Sequence, residues 1–229
     1  MPKHRIPICD FLASLPLFEM LEASVLTRIA AGMTPIDVPK GGVIVRRGEP
    51  CHGIHIIVYG QVKLSLYTPR GDEKVVDLLV RGQTFGESAM FVGRPYRITA
   101  ETLVDSKLLH LSKETVLAEV EREPLFARSV IERLSRRLNS LIEDVEGYTL
   151  RSGTQRVVNY LLRQLPQPDV LNDTAITFPV RKGVIASKLN LTQEHFSRIL
   201  HELIEAGMIE VQGRVVRVLD GAGLRSRAA

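Results

Sequence analysis

The chain has 229 residues, 45% of them hydrophobic and 24% charged, and a net charge of +4. That length suits two domains rather than one minimal core, and no stretch approaches the roughly 20 apolar residues of a membrane span. The opening MPKHRIPICD leads into no secretory apolar region, and two cysteines, Cys9 and Cys51, cannot make a disulfide framework, so a cytoplasmic protein with no membrane partner is expected.

The charge is unevenly divided. Residues 1–149 carry 19 basic and 19 acidic side chains, whereas residues 150–229 carry 11 against 7, so the whole excess lies in the carboxyl-terminal part. A neutral part joined to a basic part suits a sensor attached to a nucleic-acid reader; the plainer alternative is chance asymmetry on a solvated surface.

In chain order, Leu17, Leu21, Val25 and Ile29 have helical spacing, which predicts short amphipathic helices between Asp10 and about Met33. From about Pro39 to Ser112, short β-rich runs (43–45, 54–59, 62–67, 74–80, 98–104 and 108–111) alternate with glycines. Many short strands with frequent turn signals predict an antiparallel barrel or jelly roll.

A long helix follows. Ile131, Leu134, Leu138, Leu141, Val145 and Tyr148 recur at alternating steps of three and four, the spacing of a coiled-coil seam, and predict a homodimer through this helix. Glu132, Arg133, Arg136, Arg137, Glu143 and Asp144 are expected on its solvent face. The pattern breaks at Gly147–Gly153, read as a hinge. The expected division is therefore a β-roll over 1–122, a dimerisation helix over 123–149 and a DNA-binding domain over 150–229.

The last domain opens with a helix over about 154–164, bearing Val157, Val158, Leu161 and Leu162 on its apolar face. A turn at Pro166–Pro168 and a strand over 175–180 come next, followed by two helices, 182–189 and 192–206, separated by Asn190 and Leu191. That short break predicts a helix-turn-helix, with Thr192 as N-cap of its second helix. Gln212-Gly213 lies between two β-rich runs and predicts a hairpin, which completes a winged helix. The fold class is α+β.

The second helix of that pair carries the chemistry. Thr192, Gln193, Glu194, Ser197 and Arg198 are the candidate DNA-binding residues, while Phe196, Ile199, Leu200 and Leu203 can pack inward. A guanidinium can bond guanine O6 and N7 together, a carboxylate can accept from cytosine N4, and a hydroxyl can serve a base or a phosphate. The competing reading is a Glu194–Arg198 surface ion pair of about 0.3–0.5 kcal/mol.

These elements in this order, with RRGEP at 46–50, VYGQVKL at 58–64, GESAMF at 86–91 and LTQEHFSRIL at 191–200, resemble the Crp/Fnr family of transcription regulators over nearly the whole chain. Within it, GEPCHGIHIIVYGQVKL and the run 196–200 are most similar to the Dnr-type, nitric-oxide-responsive branch. The resemblance implies a cyclic-nucleotide-binding-like roll, with double-stranded DNA, a second copy of the chain, RNA polymerase and a small effector as partners. It also implies Glu194, Ser197 and Arg198 as readers of a palindrome like TTGAT-N4-ATCAA.

The resemblance further places an effector pocket at Gly86, Glu87, Ser88, Arg97, Ile98 and Thr99 with Leu138, Leu141 and Ile142. Glu87 and Arg97 match the ribose and phosphate contacts of cyclic-nucleotide-binding members; a structural salt bridge within the roll is the alternative role for the two. The apolar pair Leu141-Ile142 stands where cAMP-responsive members have hydroxyl residues for the adenine, which disfavours cAMP. Two cysteines are too few for an iron–sulfur cluster. The Dnr-type likeness implies haem between the roll and the long helix. His52 is its candidate ligand by position, and His4, His55 and His110 are candidates by chemistry alone. Catalysis is not expected: there is no H-E-x-x-H, no P-loop and no nucleophile elbow, and His52-x-x-His55 lacks further ligands. The alternative functions are a cAMP-responsive regulator of the same family and a cyclic-nucleotide-binding module that acts without DNA.

Overall fold

A computed structural model describes residues 7–165 and 173–228. The described residues form two compact units, one made of 7–71 and 76–139, the other of 72–75 and 140–228.

The first unit opens with helices α1 (Ile8–Ala13) and α2 (Ala23–Ala31). Eight strands follow: β1 (Met33–Val38), β2 (Val43–Val45), β3 (Gly53–Tyr59), β4 (Val62–Tyr67), β5 (Glu73–Leu79), β6 (Thr84–Phe85), β7 (Thr99–Thr102) and β8 (Ser106–Ser112), with a short helix α3 (Glu87–Val92) between β6 and β7. They make two four-stranded sheets, ordered β1-β8-β3-β6 and β2-β7-β4-β5, as a jelly roll requires. Alternation along the strands divides the core in two. Ile54, Ile56 and Val58 on β3 pack outward with Leu109 and Leu111 of β8 against the helices, around Phe18 stacked on Phe126 at 5.8 Å. Ile57 and Leu108 face the other way, into the roll with Val62, Phe85 and Tyr96.

Helix α4 (Lys113–Arg122) is capped by Ser112, whose side chain accepts from Thr115 N. Arg28 of α2 forks onto the buried Glu119 carboxylate of α4 with two bonds of 2.6 Å. Pro124 then starts helix α5, which runs to Leu150. Gly147 does not itself interrupt it, although the break does fall within the interval 147–153 expected for the hinge. The helical hydrogen bonds persist through that glycine, and the break comes at Arg151–Ser152. Along α5 an apolar stripe is left open: Ile131, Leu138, Ile142 and Val145 are each more than half exposed, and Leu141 is 43% exposed.

In the second unit Ser152 and Gln155 form a capping box that starts α6 (Gly153–Arg163). Strand β9 (Thr174–Thr177) leads to helices α7 (Lys182–Lys188) and α8 (Gln193–Glu205), strands β10 (Ile209–Gln212) and β11 (Val215–Val218), and a final helix α9 (Gly221–Ser226). The three strands form a sheet in the order β10-β11-β9. Val157, Val158 and Leu161 of α6, Ile185 of α7, four residues of α8 and Val216 and Val218 of β11 make the buried interior. The expected turn at Pro166–Pro168 lies outside the described residues. Strand β1, helices α3 and α9, and the separation of α4 from α5 were not foreseen.

Candidate nucleic-acid interface and effector region

The α7–α8 corner is set by local chemistry. Asn190 adopts φ 58°, a left-handed conformation that asparagine tolerates better than most residues. The chain then turns back, with Leu191 N bonding Ala186 O at 2.9 Å. Thr192 caps α8, its hydroxyl accepting from His195 N at 3.1 Å.

From there the helical period separates two faces. Phe196, Ile199, Leu200 and Leu203 are buried, with Phe196 6.1 Å from the ring of Phe178, so α8 is anchored by its apolar side. Thr192, Gln193, Glu194, Ser197 and Arg198 are all exposed. No ion pair joins Glu194 to Arg198 among the described residues, so neither group is spent on the surface pairing considered above. Gln193 is less free than the others: its Oε1 sits so close to Gly183 that a Cβ there would meet it at 2.6 Å.

The β10–β11 hairpin turns at Gly213, with φ 61°, and carries Arg214 and Arg217 exposed beside it. Arg181, the N-cap of α7, is exposed too. Sequence reasoning passed over these three cations. The signal for them was a basic residue just before a helix start, another beside the turn glycine Gly213, and a third on β11, where Arg217 lies 4.0 Å from Asp173.

In the first unit Gly86 introduces α3 with φ 107°, and a Cβ there would lie 2.6 Å from Gly53 O, so only glycine fits. The next residue, Glu87, is buried. Its carboxylate takes a hydrogen bond from Thr84 Oγ1 and one from Arg133 Nε at 2.9 Å; Arg133 also donates to Thr84 O at 2.6 Å. One turn further along α5, Arg137 pairs with the buried Asp77 at 2.8 Å. Arg133 and Arg137 therefore bind the roll and are not on the solvent face expected for them. Buried carboxylates on the roll supply the reason, since each needs a cation.

Glu87 and Arg97 are not brought together: Arg97 is exposed, and the ion pair of Glu87 is with Arg133. Of the remaining effector candidates, Ile98 packs against the roll interior, Thr99 Oγ1 accepts from Arg47 N at 3.2 Å, and Ser88 is exposed. Leu138, Leu141 and Ile142 belong to the exposed stripe of α5. Leu134 packs partly against the first core, and the Tyr148 hydroxyl donates to Lys188 O at 2.7 Å.

The histidines differ sharply. His52 is exposed, and His4 lies outside the described residues. His55 is buried, stacked on Phe85 at 4.8 Å and tilted against His110 at 4.8 Å, its partner across the β3–β8 ladder. Burial, and then the neighbouring His110, push its pKa down to about 3, so the ring is neutral, and its Nδ1 has no hydrogen-bond partner. Burial also lowers His110. Among the described residues no three His, Cys, Asp or Glu side chains could together hold a metal ion, and no helix is long and apolar enough to cross a membrane.

A jelly roll followed by a long helix and a winged helix with an exposed reading face defines a class of DNA-binding regulator. Residues 35–123 match the Cyclic nucleotide-binding domain and residues 155–227 the Crp-like helix-turn-helix domain. The structure of DNR from Pseudomonas aeruginosa is 33% identical, covers 95% of this chain and 96% of its own, and superposes with a TM-score of 0.51. The chain belongs to the Crp/Fnr family of DNA-binding transcription regulators. A CRP-like cAMP-activated global transcriptional regulator of Mycobacterium tuberculosis is 23% identical over 96% of this chain and 99% of its own length. FixK2 from Bradyrhizobium japonicum shares the fold at a TM-score of 0.75 and 20% identity, over 86% of this chain and 98% of its own.

Proposed function

We propose that the protein is a homodimeric regulator that reads a TTGAT-N4-ATCAA-like palindrome under the control of haem-bound nitric oxide. The observation that carries the DNA reading is α8 itself: Glu194, Ser197 and Arg198 are exposed on one face, while four apolar residues anchor the other. In a major groove, Arg198 bonds guanine, Glu194 accepts from cytosine and Ser197 takes a base edge or phosphate. Arg181, Arg214 and Arg217 add phosphate contacts that set the register. The exposed stripe from Ile131 to Val145 supports the dimer, because a coiled-coil seam leaves such a surface uncovered in one copy. Two copies then place their α8 helices about 34 Å apart on one DNA face. On this reading the protein works in the cytoplasm with RNA polymerase.

For the effector, the arrangement of Glu87 favours something other than a cyclic nucleotide. Its carboxylate is held by Thr84 and Arg133, and Arg97 stands apart from it. His52, the ligand expected by position, is exposed. His55 fits the chemistry better: it is neutral, enclosed and has a ring nitrogen with no partner, which is the state of an axial ligand. His55 would hold the haem, whose iron would supply the gas-binding position. The effector acts by favouring one of two arrangements of the protein, and only differential affinity for the two can do so.

The experiment is an anisotropy titration of the palindrome with protein alone, with cAMP, and after haem loading under nitric oxide. Tight binding confined to the haem and nitric oxide sample is expected. Tight binding confined to cAMP would overturn the effector assignment and keep the DNA reading, and the absence of binding in every sample would overturn both the operator and the effector.

A further inference from the structure

Within the second unit, α5 and α6 oppose two polar stripes. On α6 the apolar positions Val157, Val158 and Leu161 are used by the winged-helix interior, which leaves Arg156, Asn159, Tyr160 and Arg163 on another side. These line a cleft of about 150 Å³ with Ser140, Glu143, Asp144, Gly147, Tyr148 and Arg151 of the α5 end and Lys188 of α7. The spacing 140, 143/144, 147/148, 151 is one helical face. Gly147 has open space where a Cβ would stand, and so widens the cleft.

The ion pairs inside the cleft are unevenly distributed. Arg163 holds Glu143 at 3.1 Å, Arg151 holds Glu146 at 3.1 Å, and Asp144 is itself engaged. Arg156 has a buried Nε with no hydrogen-bond partner. A buried guanidinium N–H left unmade is costly, and a native site that keeps one commonly supplies a partner from outside the chain. Tyr160 stands one turn away on the same side of α6. Burial pushes its hydroxyl up to about 12, so it remains a donor at neutral pH. The lining has four basic side chains against two acidic ones; Arg163 and Arg151 already face carboxylates, so the preference for an anion rests on Arg156.

We infer that this cleft is a binding site for a small oxyanion of the phosphate type, held by Arg156 Nε and the Tyr160 hydroxyl. A cleft of about 150 Å³ has room for phosphate or a small phosphate ester. The ligand bridges α5 to α6 across the Arg151–Ser152 break, on the side of α5 away from the apolar stripe. This inference rests on the cleft alone and is independent of the haem assignment.

The test is calorimetric titration of the full-length protein with inorganic phosphate, and separately with glycerol 3-phosphate, at constant ionic strength. Saturable binding is expected, weakened about tenfold or more in Arg156→Gln, as loss of a charge-assisted bond implies. It should be unchanged in Arg198→Ala, which alters only the DNA face. A preference for the ester identifies a phosphorylated metabolite, and a preference for the bare ion identifies free phosphate. If Arg156→Gln melts early, Tyr160→Phe replaces it, and weakened binding there supports the site equally. No binding by the wild type, unchanged binding in Arg156→Gln or Tyr160→Phe, or equal loss in Arg198→Ala would overturn the proposal.

Discussion

Arg133 on the long helix holds the buried carboxylate of Glu87 at 2.9 Å and donates to Thr84 O, so one guanidinium ties α5 to α3 and β6 of the roll. Replacing it by alanine strands a buried carboxylate. Because Arg133 is about one-third exposed, solvent recovers part of the loss, and Arg133→Ala is expected to cost about 1–3 kcal/mol. Thermal melts of the variant should show a fall of several degrees, about 2–8 °C for a domain of this size class. A wild-type melting temperature would contradict the role given to this pair.

The reading residues should separate affinity from specificity. Glu194→Ala and Arg198→Ala are each expected to lose about 1–3 kcal/mol of preference for the palindrome over a scrambled duplex. Arg214→Ala should weaken both duplexes alike and reduce the salt dependence, as the loss of a phosphate contact would. Equal weakening of both duplexes in Glu194→Ala would remove that residue from base readout.

The pH dependence follows from His55. Its folded pKa of about 3 lies below the unfolded value of about 6.5, so between those values the unfolded chain binds the extra proton. Stability from this group is fully present above about pH 6.5 and falls as pH drops toward 3, at most by roughly 1.4 kcal/mol per unit. Denaturant midpoints from pH 7 to pH 4 should fall in the wild type and fall less in His55→Gln. Parallel curves would contradict the buried neutral ring.

The exposed stripe predicts assembly. Leu141→Glu places a charge within the apolar seam while leaving either unit's interior untouched, so sedimentation should shift from dimer to monomer at micromolar concentration with helix content preserved. A dimer that persists in this variant would place the interface elsewhere.

Much of this architecture was legible in the residues because it depends on local period. The alternation of 54–58, the 3.5-residue stripe from Ile131 to Val145 and the separation of faces on α8 are all written into neighbouring positions. Gly147 misled because a single glycine weakens a helix by only about 1 kcal/mol, less than the rest of α5 supplies. The ion pairs Arg133–Glu87 and Arg137–Asp77 join residues far apart in the chain, 46 positions in the first case. On a helix rich in charge nothing in the sequence marks which arginines turn inward. The cleft beside Arg156 was equally hidden, because it needs two helices to meet before its lining exists.

The central claim is that two copies of α8 read a two-fold site, and the direct measurement is competition binding on TTGAT-N4-ATCAA, a duplex with one half-site scrambled, and a duplex with both scrambled. The account predicts that losing one half-site weakens binding by at least about tenfold, because each half carries several contacts worth about 1–3 kcal/mol each. It also predicts that losing both reduces binding to a salt-sensitive residue. Equal affinity for all three duplexes would contradict it.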